Sequence, residues 1–306
     1  MSIHGEECFE AHIYLDHYYP PVQWNIVRGV FNSPSCLPES KQNNLLSVSM
    51  ATMLLNDTAD RLVSELWLDD IRNKHYPNNV SRLRGIFVFD DLDSLSKLWE
   101  KNNWGGHFNG EYLTDVGVAA DKSSRLDSNW ISEIIDDAGK LLLGWEAAAH
   151  SYWQGRPHPE KEPIWERIVE GTITVWSSDS KEVALKEIQA IWPQSLNLLR
   201  YAILCAGYCS FDGQTFPILL TKSDRIELVY CLRMVQRSDV DFIDALNKFI
   251  EDNPRFNSSL LSEGEDLLPD LSCFSKVITP SSNDGFGELV KRILTDNAKF
   301  NEAKIT

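Results

Sequence analysis

The segment Pro163-Ile164-Trp165-Glu166-Arg167-Ile168-Val169 sets a carboxylate in a run of β-forming residues. A strand period of two puts Ile164, Glu166 and Ile168 on one face. If that face is buried, an unpaired ionised Glu166 costs several kcal/mol. It then needs a partner, a raised pKa or a functional reason. The opposite phase turns Trp165, Arg167 and Val169 inward and makes Arg167 the inward charge. Pattern alone leaves both phases open.

Other groups could join it. His12 stands in a β-rich run between Ala11 and Ile13, with Tyr14 on its own face. A lone strand histidine is more often structural; beside an acid it offers a hydrogen-bond donor. Ser81-Arg82 precedes a strand, and the fork of Arg82 could hold a phosphate or simply be solvated. Tyr152-Trp153 reads as core or as a stacking wall. Phosphate-cradling glycine loops, a nucleophile elbow and the H-E-x-x-H motif are absent from the sequence. Asp90-Asp91-x-Asp93 reads as a helix N-terminus. Cys205 and Cys209 are small apolar-helix residues, and the six cysteines form no C-x-x-C pair. No metal site is expected, and the pattern fits a reducing compartment.

These side chains need elements to position them. Residues 9–15 predict a strand that Pro20-Pro21 ends. Leu62, Val63, Leu66, Trp67 and Ile71 recur at helical spacing after a capping Asp57, and Tyr76-Pro77 stops that helix. Residues 86–89 predict a strand, and Leu92, Leu95, Leu98 and Trp99 a helix. Gly105-Gly106 marks a turn, and residues 111–118 alternate as a strand. Asp127-Ser128-Asn129 caps a further helix, and another runs from Trp145 to Trp153. Residues 163–176 read as two strands joined at Glu170-Gly171. Beyond 178, helices are predicted over 180–191, 195–209, 223–236 and 239–252, with one strand at 216–220. The segment 257–285 reads as irregular, and Phe286, Leu289, Ile293 and Leu294 suggest a last helix. The division is an α+β domain over 1–178 and a mainly helical region over 179–306, with packing of both as one body the alternative.

Composition is that of an ordinary globular chain: 43% hydrophobic and 24% charged over 306 residues. The net charge of −16, from 45 acidic and 29 basic residues, disfavours non-specific nucleic-acid binding. The first ten residues lack a basic and apolar leader pattern, and no apolar run is long enough to span a membrane. A cytoplasmic protein is expected, with delivery into a host cell by a signal-independent route left open.

Taken in order, these segments resemble the ADP-ribosyltransferase family, especially its bacterial and phage members with a histidine-led first motif. The resemblance covers residues 9–176. Ala11-His12-Ile13-Tyr14 looks like the family's first motif, Ser81-Arg82 and the strand behind it like the second, and Trp165-Glu166-Arg167 like the late strand with the catalytic Glu. Tyr152-Trp153 fits the same subgroup. The resemblance implies a split mixed β-sheet with flanking helices, NAD as substrate and no metal. It implies that Glu166 is catalytic, stabilising the oxocarbenium-like centre at the ribose. It also implies that His12, Tyr14, Ser81, Arg82 and Tyr152 bind NAD, with Arg82 at the pyrophosphate. Two departures stand out. His12 sits where many relatives have Arg, and the acid two residues before the catalytic Glu is here Ile164, which leaves the acceptor open. The acidic charge favours a protein acceptor over nucleic acid, and the C-terminal helices could dock a partner protein. Two other functions compete: a non-enzymatic interaction module on the same fold, and an NAD glycohydrolase toxin.

Overall fold

A computed structural model describes residues 7–37, 44–101, 112–221, 225–254 and 267–279. In chain order the elements are β1 (Glu7–Tyr14), α1 (Pro20–Arg28), β2 (Val30–Asn32), α2 (Val48–Asn56), α3 (Ala59–His75) and β3 (Ile86–Val88). Then come α4 (Leu92–Lys101), β4 (Leu113–Asp127), α5 (Ile131–Ile134), α6 (Trp145–Trp153), β5 (Trp165–Val175) and α7 (Ser178–Ile191). The chain continues through α8 (Leu196–Gly207), β6 (Thr215–Thr221), β7 (Ile226–Leu232), α9 (Val240–Asp252) and β8 (Lys276–Ile278). The fold is mixed α+β with two antiparallel sheets.

The first sheet runs β1-β4-β5-β2, and β3 shares the β2 edge of β5. Val88 pairs with Arg167 at one end of β5, and Asn32 with Thr172 towards the other. One residue past β3, Phe89 leaves β5 and bridges to His12 of β1. The second sheet is β6-β7-β8.

One irregularity lies where the first sheet changes its buried face. A bulge in β4 shifts the register between Ala120 and Lys122. An extra residue on one strand flips its side-chain parity. Burial along β5 changes phase at the same level: Glu166 and Ile168 are buried, then Val169, Gly171, Ile173 and Val175. Val169, Ile173 and Val175 join the core formed with β1, α1, β2 and β3. Ile168 instead joins Leu68, Val80, Leu126, Ile134, Tyr152 and Trp153 on the opposite face. Residues 165–175 are therefore one strand that buries a different face at each end. The expected pair of strands joined at Glu170-Gly171 is corrected.

Other expectations change too. Pro20 and Pro21 do not merely end β1; they open α1, where a missing N–H and a preset φ suit the first turn. Residues 226–232 form a strand, not part of a helix over 223–236, and Ile226, Leu228 and Tyr230 alternate inward. Helices at 178–191, 196–207 and 240–252 follow the predicted pattern. The turn at Gly105-Gly106 and the helix around Phe286 lie outside the described residues.

Residues beyond 178 pack onto the first sheet's helices through buried and half-buried polar contacts. Trp24 Nε1 donates to Gly213 O (2.8 Å), and Asn25 exchanges two hydrogen bonds with the Thr215 backbone. Lys276 Nζ donates to the carbonyls of Leu54, Leu55 and Asp57 at the end of α2. A positive charge there also suits the negative end of the helix dipole. All six cysteines are free thiols. Among the described residues no helix is long and apolar enough to cross a membrane, and no cluster of metal-ligating side chains occurs.

Candidate functional site

Glu166 lies on the inward face, 3% exposed, with Ile164 and Ile168 at 0%. The phase left open by the sequence is thus resolved, and Arg167 is the outer charge, bound to Glu7 and Asp90. What burial demands of Glu166 is met by Arg82 and Tyr152. Arg82 Nη1 donates to Glu166 Oε1 (2.7 Å) and to Tyr152 Oη (2.6 Å), and Tyr152 Oη donates to the same Oε1 (2.6 Å). No described residue donates to Oε2. One carboxylate oxygen is doubly anchored, and the other keeps its acceptor capacity.

A fourth member comes from α3. Leu62, Glu65, Asp69 and Arg72 are all buried and recur three or four residues apart, a stripe on one helix face. Glu65 takes Arg82 Nε (2.9 Å) and Nη2 (3.2 Å), and Arg61 closes on it from the preceding turn (2.8 Å). Ser81 Oγ donates to Asp69 (2.7 Å), which also pairs with Arg72. The turn carrying Arg82 sits tight against β5 because residue 85 is glycine. A Cβ there would meet Ile168 Cγ2 at 2.3 Å. The guanidinium lies beside the rings of Phe87 and Tyr152.

Electrostatics follow from this geometry. Burial alone would raise the Glu65 carboxyl, but Arg82 and then Arg61 outweigh it and hold it at about 2. Burial would lower Arg82, yet Glu65, Tyr152 and Glu166 push it well above the usual arginine value. Burial, reinforced by Glu166, raises the Tyr152 phenol well above its usual range despite Arg82. Tyr152 therefore stays protonated and donates to Glu166. Because Glu65 is depressed from 4.5, its contribution to stability is complete above pH 4.5 and is lost as pH falls towards 2. Urea midpoints measured across that window should drop in the wild type, and drop less in Glu65→Gln.

Of the site residues expected from sequence, Glu166, Arg82 and Tyr152 meet directly, and Ser81 stands beside them. Arg82 is neither solvated nor free for phosphate: its three nitrogens are committed to Glu65, Tyr152 and Glu166. His12 and Tyr14 share the outer face of β1 and make no contact with Glu166. His12 Nδ1 meets Asp115 at the surface (2.8 Å), and Tyr14 packs edge-on against Phe89. His12 pairs with Phe89, which follows the residue paired with Arg167. The end of β3 thus links the β1 backbone at His12 to the β5 backbone at Arg167, one residue after Glu166. Sequence reasoning missed Glu65. Its spacing from Arg61 reads as an exposed i,i+4 pair; only its place between Leu62 and Asp69 on the inward stripe signals burial.

Residues 31–186 match the family described as "Protein of unknown function (DUF2441)". The chain belongs to this family. No curated protein and no solved structure matches. Glu65, Arg82, Tyr152 and Glu166 all fall within the family match, whereas His12 and Tyr14 precede it.

Proposed function

We propose that this DUF2441 chain is an NAD-dependent mono-ADP-ribosyltransferase-like enzyme, with Glu166 as its catalytic carboxylate. The observation that supports this reading is the division of labour on Glu166. Arg82 and Tyr152 fix Oε1, and Oε2 is left to accept a hydroxyl. In this reading Oε2 bonds a ribose hydroxyl, and the carboxylate charge stabilises the positive centre that develops as nicotinamide leaves. Arg82 and Tyr152 are positioning residues. The committed fork of Arg82 does not fit a pyrophosphate ligand, so phosphate contacts fall to other groups. His12 and Tyr14 serve the adenosine side. A protein acceptor is favoured by the acidic surface.

The burial of the whole quartet favours a second reading. Glu65 and Tyr152 are 0% exposed and Arg82 2%, as a purely structural ion network in a non-enzymatic module would be. Incubation with NAD labelled in the adenylate, with and without cell lysate, separates the two. Label on a macromolecule supports the transferase, and nicotinamide release alone supports a glycohydrolase. Neither would leave the structural network as the sole role of Glu166.

A further inference from the structure

A cavity of about 230 Å³ opens at the other end of β5, on the face that carries Thr172 and Thr174. Its floor is built from three adjacent strands: Asn32 of β2, those threonines, and Asp121 at the β4 bulge. Its far wall is the end of α8 and the turn through Cys209 and Phe211. The floor is rigid. Asn32 is clamped by Gln214 through its backbone and its side chain, and Thr172 Oγ1 donates to Asn32 Oδ1 (2.9 Å).

The polar groups facing the cavity are mainly acceptors. Thr172 has spent its proton on Asn32, and Asp121 is a carboxylate with no cation within salt-bridge distance among the described residues. Its one side-chain contact is the Cys36 thiol (3.9 Å). Burial, with Asp121 and Glu170 adding to it, pushes that thiol up to about 12, so it stays neutral. Arg28, behind the wall, gives its Nη atoms to Val30 O, Gln214 Oε1 and Ser210 O. The wall also holds strain: Cys209 has φ 61°, a left-handed conformation that usually selects glycine at a helix end. Strain of this kind gathers at ligand clamps.

We infer that this cavity binds a small organic cation, a primary ammonium or guanidinium with a short apolar body, through Asp121 and the threonine–asparagine floor. A cavity of about 150 Å³ takes benzene, so this one has room for a body of roughly ten heavy atoms. The site is separate from Glu166 and does not rest on the NAD reading.

The test is an amide-resonance titration of the ¹⁵N-labelled full chain with agmatine and n-butylamine, with glucose and sulfate as neutral and anionic comparators. Saturable shifts at Thr172, Thr174, Ser210 and Phe211 with the two amines are expected. Asp121→Asn, at an exposed position, should fold normally and weaken amine binding roughly tenfold, as expected for one lost charge-assisted hydrogen bond. No saturable amine shifts at millimolar concentration, a preference for glucose or sulfate, or unchanged affinity in Asp121→Asn would overturn the assignment.

Discussion

Replacing Arg82 with methionine should lower the free energy of unfolding by about 3–5 kcal/mol, the range for breaking a buried ion pair by removing one partner. Methionine fills the space of the aliphatic stem, so the loss is electrostatic. Glu65 would keep only Arg61, and Glu166 only Tyr152. Glu65 is 0% exposed and Glu166 3%, so water replaces the lost donors poorly. The double variant Arg82→Met, Glu166→Gln should recover part of the loss, because a neutral amide needs no counter-charge. Urea unfolding at pH 7 with unchanged slope measures both. A loss under about 1 kcal/mol, as for a surface pair, would show that solvent reaches the quartet.

Asp127→Ala should be of similar size, about 3–5 kcal/mol, because it strands several buried donors at once. Asp127 is 0% exposed. Its Oδ1 accepts from the backbone N–H and side-chain amide of Asn129 and from Ile164 N; its Oδ2 accepts from His158 N (2.7 Å). These bonds tie the end of β4 to the chain entering β5, two residues before Glu166. Asp127→Asn keeps one acceptor and turns an amide N–H towards that of His158, so its loss should be smaller. Hydrogen exchange at Ile164 and His158 should accelerate in both variants, which would place the damage at the start of β5. Unchanged exchange there would mean that Asp127 does not hold that strand.

What the sequence revealed and concealed has physical reasons. The α6 span and the Asp127 cap are legible because helix periodicity and capping chemistry are local. Strand β1 is legible from its β-formers, and its alternation correctly places His12 and Tyr14 together. The phase of Glu166 is not legible, because β5 buries one face as far as Ile168 and the other from Val169. That switch is set by the different core layers that cover the two ends of the sheet, built from residues far along the chain. Arg82 defeats local reading for the same reason: its partners Glu65 and Glu166 lie 17 and 84 residues away. Strand β7 is misread as helix because Ile226 to Leu232 is rich in apolar residues, and a short apolar run does not declare its period. Packing against β6 and β8 decides it.

Nicotinamide release from NAD by wild-type protein and Glu166→Gln, both verified as folded, tests the central claim most directly. The Gln variant keeps the shape and an oxygen for Arg82 and Tyr152 but removes the charge. Loss of one preorganised electrostatic stabiliser typically costs about 10²–10³ in rate, so the account predicts slow release by the wild type and a drop of that order in the variant. Equal release by the two proteins, or none by the wild type, would contradict it.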